Sequence, residues 1–232
     1  SVIMAARRPL RVLEVKRETD ESVSVLLGGP NIHNYVGEGG QFIMVRSLKP
    51  GQWWKSNPYS LSAAPTTGGM RITVKDRGDA SGSLFKLHRG DRVSVEGPYG
   101  VVTPEIFEGT RPLFIAGGVG VTPVRAMLES LPKNSQPLVL LRARVVEEIP
   151  HYEEICELVD ARRGDVRLVL GRTAQLKIAD PFAPKVLQAL VPDLHKCTAF
   201  VCGPTALTFA ARKGLREAGL APSRIHLEVP WW

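Results

Sequence analysis

The chain has 232 residues, 44% of them hydrophobic and 23% charged, which suits one large or two modest domains with buried cores and excludes a disordered or collagen-like chain. The net charge of +7 is spread evenly, with 14 Lys and Arg against 10 Asp and Glu in residues 1–107 and 16 against 13 in residues 108–232, so no single basic face points to nucleic acid. The longest nearly apolar run, residues 113–124, holds three glycines and falls well short of the roughly 18 residues that would span a bilayer.

A dense basic cluster, Arg7, Arg8 and Arg11 followed by Lys16 and Arg17, sits where a first strand should begin. A solvated strand edge accounts for it, and so does contact with anionic lipid or a partner. From there to about Gly100 the apolar residues fall in short alternating runs at 12–15, 22–26, 41–45, 70–75 and 91–95. Turn formers separate them: Gly28-Gly29-Pro30, Gly39-Gly40, Thr66-Thr67-Gly68-Gly69 and His88-Arg89-Gly90-Asp91. This spacing predicts an antiparallel β-barrel, closed so that no edge remains.

After Phe107 the pattern changes. Unbroken apolar runs at 113–116, 138–141, 166–170 and 199–202 read as strands buried on both faces. Between them Val124, Met127, Leu128 and Leu131, then Tyr152, Ile155, Cys156 and Val159, recur at helical spacing. The alternation predicts a doubly wound α/β domain with a parallel sheet. With the hinge at 108–112, residues 1–107 form the barrel domain and 108–232 the α/β domain. Ligands of such sheets sit outside the carboxyl ends of the strands, facing the barrel.

The richest motif lies there. A buried strand runs into Gly117-Gly118-Val119-Gly120-Val121-Thr122-Pro123, with Thr122 expected to cap the next helix and Pro123 to open it. Glycines and a helix N-terminus suit a phosphate, although a tight turn without a ligand has the same pattern and the spacing is not G-x-G-x-x-G. Cys202-Gly203-Pro204 ends a second strand before a helix at about 205–218, either as a plain turn or where a flat ring approaches closely. In the barrel half, Asn57-Pro58-Tyr59-Ser60-Leu61-Ser62 puts Tyr59 and Leu61 on one strand face and Ser60 and Ser62 on the other. The small-residue loop Gly78-Asp79-Ala80-Ser81-Gly82-Ser83 leads into a short helix and offers a second phosphate cradle. Two anion sites in two domains suggest two nucleotides. Cys156, Cys197 and Cys202 are too few and too unevenly spaced for zinc, iron–sulfur or disulfide frameworks, so no metal is expected and a reducing compartment is. No basic region followed by an apolar run opens the chain, so no signal peptide is expected; a start at Ser1 rather than Met suggests part of a longer protein.

Asn57-Pro58-Tyr59-Ser60, Gly78 to Ser81, Gly97-Pro98-Tyr99-Gly100, Gly117 to Pro123, Cys202-Gly203-Pro204 and Glu228 stand in the order and spacing of the ferredoxin–NADP reductase superfamily, which the chain resembles along nearly its whole length. Within it, residues 53–65 look most like the cytosolic dehydrogenase domain of bacterial ferric reductase-like membrane proteins and NADPH oxidases. The resemblance implies two cofactors, FAD and NADPH. Tyr59 would stack on the flavin after Asn57 and Pro58, with Ser60 bonding near its N5. Thr73, Val74 and Lys75 would border it through the backbone, and Gly78, Ser81 and Gly82 would hold its pyrophosphate. Gly117, Gly118, Gly120, Thr122 and Pro123 would hold the pyridine nucleotide's diphosphate. Cys202, with Gly203 and Pro204, would lie beside the nicotinamide and Glu228 would complete the reactive centre. Trp232 stands where relatives place Phe or Tyr and would shield the flavin, so Ser60, Cys202, Glu228 and Trp232 are the catalytic candidates. Trp53 or Trp54 would stack on adenine. The family has Arg or His where this chain has Asn57, which carries no charge, so flavin binding is expected to be weak. Arg144 and Arg172 follow two strand ends with no acid directly at either, which predicts NADPH over NADH.

The function so implied is hydride transfer from NADPH to FAD, with electrons passing on to haem in a transmembrane module, the chain lying in the cytoplasm at the membrane face and the basic cluster near Ser1 at the attachment point. The alternatives are a free-standing soluble flavin reductase serving a ferredoxin- or flavodoxin-like acceptor, or a non-catalytic flavin-binding module.

Overall fold

The computed structural model describes residues 9–35, 37–50, 55–76, 82–172 and 180–228. The alternating half of the chain forms β1 (Leu10–Thr19), β2 (Ser22–Gly28), β3 (Phe42–Ser47), β4 (Asn57–Ser60), β5 (Met70–Lys75) and β6 (Arg92–Tyr99), with the short helix α1 (Gly82–Phe85) before β6. The sheet order is β4-β3-β6-β1-β2-β5, and neighbours run antiparallel. Period-two alternation turns Val23, Val25 and Leu27 of β2, Ile43 and Val45 of β3, and Ile72 and Val74 of β5 into one buried core.

Closure differs from the expectation of an edgeless barrel. The end strands β4 and β5 share no ladder; a single bridge between Leu61 and Ile72 joins them among the described residues. Asn57 to Ser60 is too short a strand to pair along the whole of β5. The barrel is therefore closed at this bridge, where the Ser62 amide donates to the Arg71 carbonyl at 2.8 Å.

The second half forms β7 (Arg111–Gly117), α2 (Val121–Ser130), β8 (Leu138–Ala143), α3 (Tyr152–Asp160), β9 (Asp165–Leu170), α4 (Pro184–Leu190), β10 (Cys197–Cys202), α5 (Thr205–Glu217) and β11 (Ile225–Glu228). The sheet is parallel throughout, in the order β11-β10-β7-β8-β9. Phe114, Val139 and Phe200 pack under α2 and α3, while Leu113, Leu140 and Val201 pack under α4 and α5, so the central strands are covered on both faces as their unbroken apolar runs require. The chain moves from β7 outward through β8 and β9, then returns to β10 on the other side of β7, which makes the β7/β10 crevice the switch point where ligands of open α/β sheets bind.

The halves meet along a polar seam. Arg71 of β5 makes two hydrogen bonds to the Glu154 carboxylate on α3, at 3.0 and 2.8 Å, and Arg125 of α2 donates to Glu154 at 2.7 Å. The Ala64 amide donates to Glu129 on α2 at 2.8 Å. Gly39, which reads in the sequence as a turn residue, touches α2 so closely that a Cβ there would lie 2.6 Å from the Met127 nitrogen.

Candidate active site

The switch point is built by two strand ends pressed together. A Cβ on Gly120 would lie 2.6 Å from Gly203 N and closer still to the Cys202 carbonyl; one on Gly117 would meet Leu207 at 2.7 Å and the Arg142 carbonyl at 3.0 Å. Gly203 has φ +151°, and a Cβ on it would lie 2.9 Å from the Gly117 carbonyl oxygen. These three glycines serve backbone-to-backbone contact within the protein. Gly118 is the exception: its φ is +57°, and a Cβ there would meet nothing, so this position is left-handed and faces open space.

The helix start is displaced from the expected one. The segment Gly118–Gly120 is a 3₁₀ turn, α2 begins at Val121, and its N-cap is Gly120, with no side-chain cap. Thr122 lies inside the helix and donates to the Val119 carbonyl at 2.8 Å, and Pro123 is the third helical residue rather than the first. The extra 3₁₀ turn takes up the residues that a direct strand-to-helix junction would have used for a cap.

A cavity of about 270 Å³ opens between the sheets. From the barrel side Pro58, Tyr59, Ser60 and Thr73 line it, and from the nucleotide side Gly120, Thr122, Cys202 and Glu228 do. These eight candidates are brought together around one cavity. Asn57, Val74, Lys75, Gly117, Gly118, Pro123, Gly203 and Pro204 stand outside the cavity lining, with Val74 in the barrel core and Lys75 paired to Glu21 at 2.7 Å. Gly78, Ser81, Trp53, Trp54, Trp232, Arg7 and Arg8 lie outside the described residues. Phe42, Val119 and Leu227 also line the cavity. Leu227 could be found only by recognising the four-residue β11, whose half-buried pattern has no clear period.

At the cavity's polar edge, Ser60 donates to Glu228 Oε1 at 2.5 Å, and Cys202 and Glu228 are register partners on β10 and β11. Burial raises the Glu228 carboxyl above its ordinary range, and the Ser60 hydrogen bond works partly against that. The Cys202 thiol is pushed well up by burial and by the neighbouring Glu228, so it is an uncharged thiol at neutral pH. Burial also pushes the Tyr59 phenol up to about 12, leaving a neutral ring at the cavity wall. The Tyr59 and Cys202 sides of the rim are therefore uncharged and suit a flat ring better than an ion.

Arg144 and Arg172 follow the carboxyl ends of β8 and β9, and both are exposed. Arg144 is not free of acidic neighbours: Glu148, one helical turn on, holds it with contacts at 3.0 and 2.7 Å. Glu148 is not directly at the strand end, but it reaches back to the Arg144 guanidinium.

No family model matches the sequence. Among curated proteins, the gamma subunit of sulfhydrogenase 2 from Pyrococcus furiosus is 26% identical over 94% of this chain and 82% of its own length. The ferredoxin reductase component of 3-ketosteroid-9-alpha-monooxygenase from Mycolicibacterium smegmatis is 30% identical over 95% of this chain and 64% of its length, and a flavohemoprotein from Bordetella pertussis is 28% identical over 94% and 60%. The chain thus spans less than two thirds of the last two. Among solved structures, the FAD/NAD-binding domain of nitric oxide dioxygenase from Vibrio cholerae superposes with a TM-score of 0.74 at 22% identity, covering 96% of this chain and 98% of that one. A ferredoxin–NADP+ reductase from Neisseria gonorrhoeae with bound FAD and NADP gives 0.77 at 19% identity, covering 95% and 97%.

Proposed function

We propose that the chain, whose two sheets have the fold of ferredoxin–NADP reductases, is a flavoprotein oxidoreductase that takes hydride from NADPH onto FAD and passes electrons to a separate acceptor protein. In this reading residues 1–107 serve the flavin and 108–232 the pyridine nucleotide, in a cytoplasmic setting where the free thiols Cys156, Cys197 and Cys202 persist. The observation that carries it is the cavity at the β7/β10 switch point, where Ser60 and Tyr59 from the barrel meet Cys202 and Glu228 from the parallel sheet.

The residues fit two flat cofactors. At about 270 Å³ the cavity is close to the lower end of the roughly 300–1,000 Å³ typical of small-molecule pockets, room for ring systems but not for a whole dinucleotide. The open space at Gly118, before the N-terminus of α2, suits a diphosphate that must approach the backbone. Tyr59, Ser60 and Thr73 of β5 would hold the flavin ring, with Gly82, Gly78 and Ser81 toward its phosphates. Gly118 to Thr122, Cys202 to Pro204, Arg144 and Arg172 would hold NADPH. When bound, the nicotinamide supplies a hydride and the flavin accepts it and releases electrons.

The protein's own part is positional. Tyr59 gives a neutral face, Cys202 a small neutral side chain, and the Ser60–Glu228 pair a hydrogen-bonding edge whose donor can be offered to a ring nitrogen. No charged acid or base is required, in keeping with the uncharged Tyr59 and Cys202 sides of the rim, and holding two rings in contact is the larger effect. Asn57 brings no charge to the flavin, which supports low flavin affinity.

The relatives' names support a separate acceptor over the transmembrane haem module that the sequence resemblance suggested. One relative is a ferredoxin reductase component and another a flavohemoprotein, and a structural neighbour at TM-score 0.77 is a cytochrome P450 reductase. We therefore favour a ferredoxin-like or haem-bearing protein partner. No helix among the described residues is long and apolar enough to cross a membrane. The test is anaerobic addition of FAD to the purified chain, followed by NADPH. In a titration carried to saturating FAD, a flavin absorbance change on binding and bleaching of the bound flavin by NADPH are expected. Binding without bleaching would make the chain a binding module, and no binding at saturating FAD would overturn the proposal.

A further inference from the structure

His151 sits at the N-cap of α3 with φ +59° and makes no capping hydrogen bond. A left-handed backbone is uncommon for any residue but glycine, and the side chain is completely buried rather than turned to the helix end. It points instead across the seam to the outer face of the barrel. Its Nε2 lies 2.8 Å from Thr73 Oγ1 and 3.4 Å from Ser24 Oγ, and those two hydroxyls are 3.0 Å apart on paired positions of β5 and β2. Its Nδ1 faces two carboxylates, Glu154 at 3.4 Å and Glu18 at 3.6 Å. Carboxylates only accept, so the ring proton belongs on Nδ1, and in the neutral ring Nε2 is left to accept from the Thr73 hydroxyl. The two acids are themselves held: Glu154 by Arg71 and Arg125, and Glu18, more than nine-tenths buried, with Lys16 at 3.7 Å.

Thr73 also lines the cavity. It belongs to an end strand that has β2 on one side and, on the other, the bridge at Ile72. Thr73 follows that bridge directly, and its hydroxyl is gripped from outside the sheet by the His151 ring. Resting on the oxidoreductase reading above, we propose that His151 is a positioning residue for hydride transfer: it ties the cavity-bordering strand of the barrel to the nucleotide domain through Thr73, and so sets how closely the two halves present their rings.

Two variants test the tie without relying on either alone. His151→Phe keeps a ring and removes both nitrogens, and Thr73→Val keeps the shape and removes the hydroxyl. In the full chain without cofactors, amide hydrogen exchange of residues 70–75 should rise about tenfold in each variant and no further in the double variant, the signature of two groups acting as one. Unchanged exchange, or effects that multiply to about a hundredfold, would overturn the tie. In the FAD-loaded chain, the limiting rate of flavin reduction at saturating NADPH should fall about tenfold in each variant, with KM for NADPH within about twofold, since misplacement costs rate more than binding. Wild-type rates, or a KM effect alone, would overturn the positioning role. If the wild-type chain neither binds FAD nor bleaches, the oxidoreductase reading fails, and the exchange experiment alone decides whether His151 joins the halves.

Discussion

The Ser60 hydroxyl, on an end strand of the barrel, donates to Glu228 Oε1 on the last strand of the parallel sheet at 2.5 Å. The bond places a carboxyl whose proton affinity is raised by burial at the cavity between the halves. The native state keeps this proton to a higher pH than the unfolded chain, whose glutamates titrate near about 4.3. The contribution to stability is therefore complete below that value and is lost as pH rises through the raised native value. Thermal unfolding followed against pH should show that descending segment in the wild type, and Glu228→Gln, which still accepts from Ser60, should flatten it. Equal slopes in the two proteins would refute the assignment.

Neighbouring glycines of one loop should respond differently to a methyl group. Gly120→Ala drives a Cβ into the Cys202–Gly203 backbone, and overpacking of this kind costs about 1–3 kcal/mol or more. Gly118→Ala meets no atom and bears only the left-handed penalty of about 1–2 kcal/mol, but it fills the space assigned to the diphosphate. Urea unfolding should rank Gly120→Ala as the less stable. Titration with NADPH should show Gly118→Ala folded yet weakened in binding by about tenfold, and unweakened binding would move the diphosphate elsewhere.

The contrast shows what a sequence can carry. The Val23, Val25 and Leu27 alternation and the unbroken run from Leu113 to Ala116 are local signals, and both halves of the fold follow from them. The glycines near residue 117 mark the right place, but their separate jobs depend on the Cys202–Gly203 backbone more than 80 residues away. Gly39 reads as a turn because its contact, α2, is equally distant in sequence. His151 before an amphipathic helix is indistinguishable from a cap until Thr73, 78 residues earlier, is seen against its ring. Glu228 became visible through resemblance alone, since β11 is too short to announce itself.

The cysteines should differ in reactivity. Cys202 is fully buried and its thiol is raised by burial and Glu228, and Cys197 is pushed up to about 11 by burial and Asp193. Thiolate is the reactive form, whereas Cys156 is only partly buried. Iodoacetamide on the folded chain, read by peptide mass, should label Cys156 first and reach the other two only in urea. Rapid labelling of Cys202 in the folded chain would mean that it is a thiolate and that its side of the rim is charged.

Glu154 should dominate the acid limb of stability. The His151 hydrogen bond is the largest of the influences holding its carboxyl far below the ordinary range, followed by Arg71 and Arg125, against the opposing effect of burial. The sign is opposite to that of Glu228: the stabilisation is present above about pH 4.3 and is lost as pH falls through the native value. Glu154→Gln should lower stability at pH 7 by about 2 kcal/mol, the scale of a hydrogen bond to a charged group, and should lose less on acidification than the wild type. An unchanged acid limb would show that the seam is held by other contacts.

Cofactor choice rests on the two arginines after β8 and β9, and they are not equivalent. Arg144 spends its guanidinium on Glu148, so a 2′-phosphate must compete with that carboxylate, whereas the exposed Arg172 has no such carboxylate tether among the described residues. Exposed ion pairs are weak, about 0–1 kcal/mol, so the competition is modest. The chain should prefer NADPH to NADH in kcat/KM. Arg172→Ala should raise KM for NADPH by about tenfold, close to 1.4 kcal/mol, and Arg144→Ala by less. Glu148→Gln should lower KM for NADPH by freeing Arg144, with little effect on NADH. Equal kcat/KM for the two cofactors, or a preference that survives loss of both arginines, would place 2′-phosphate recognition on other residues.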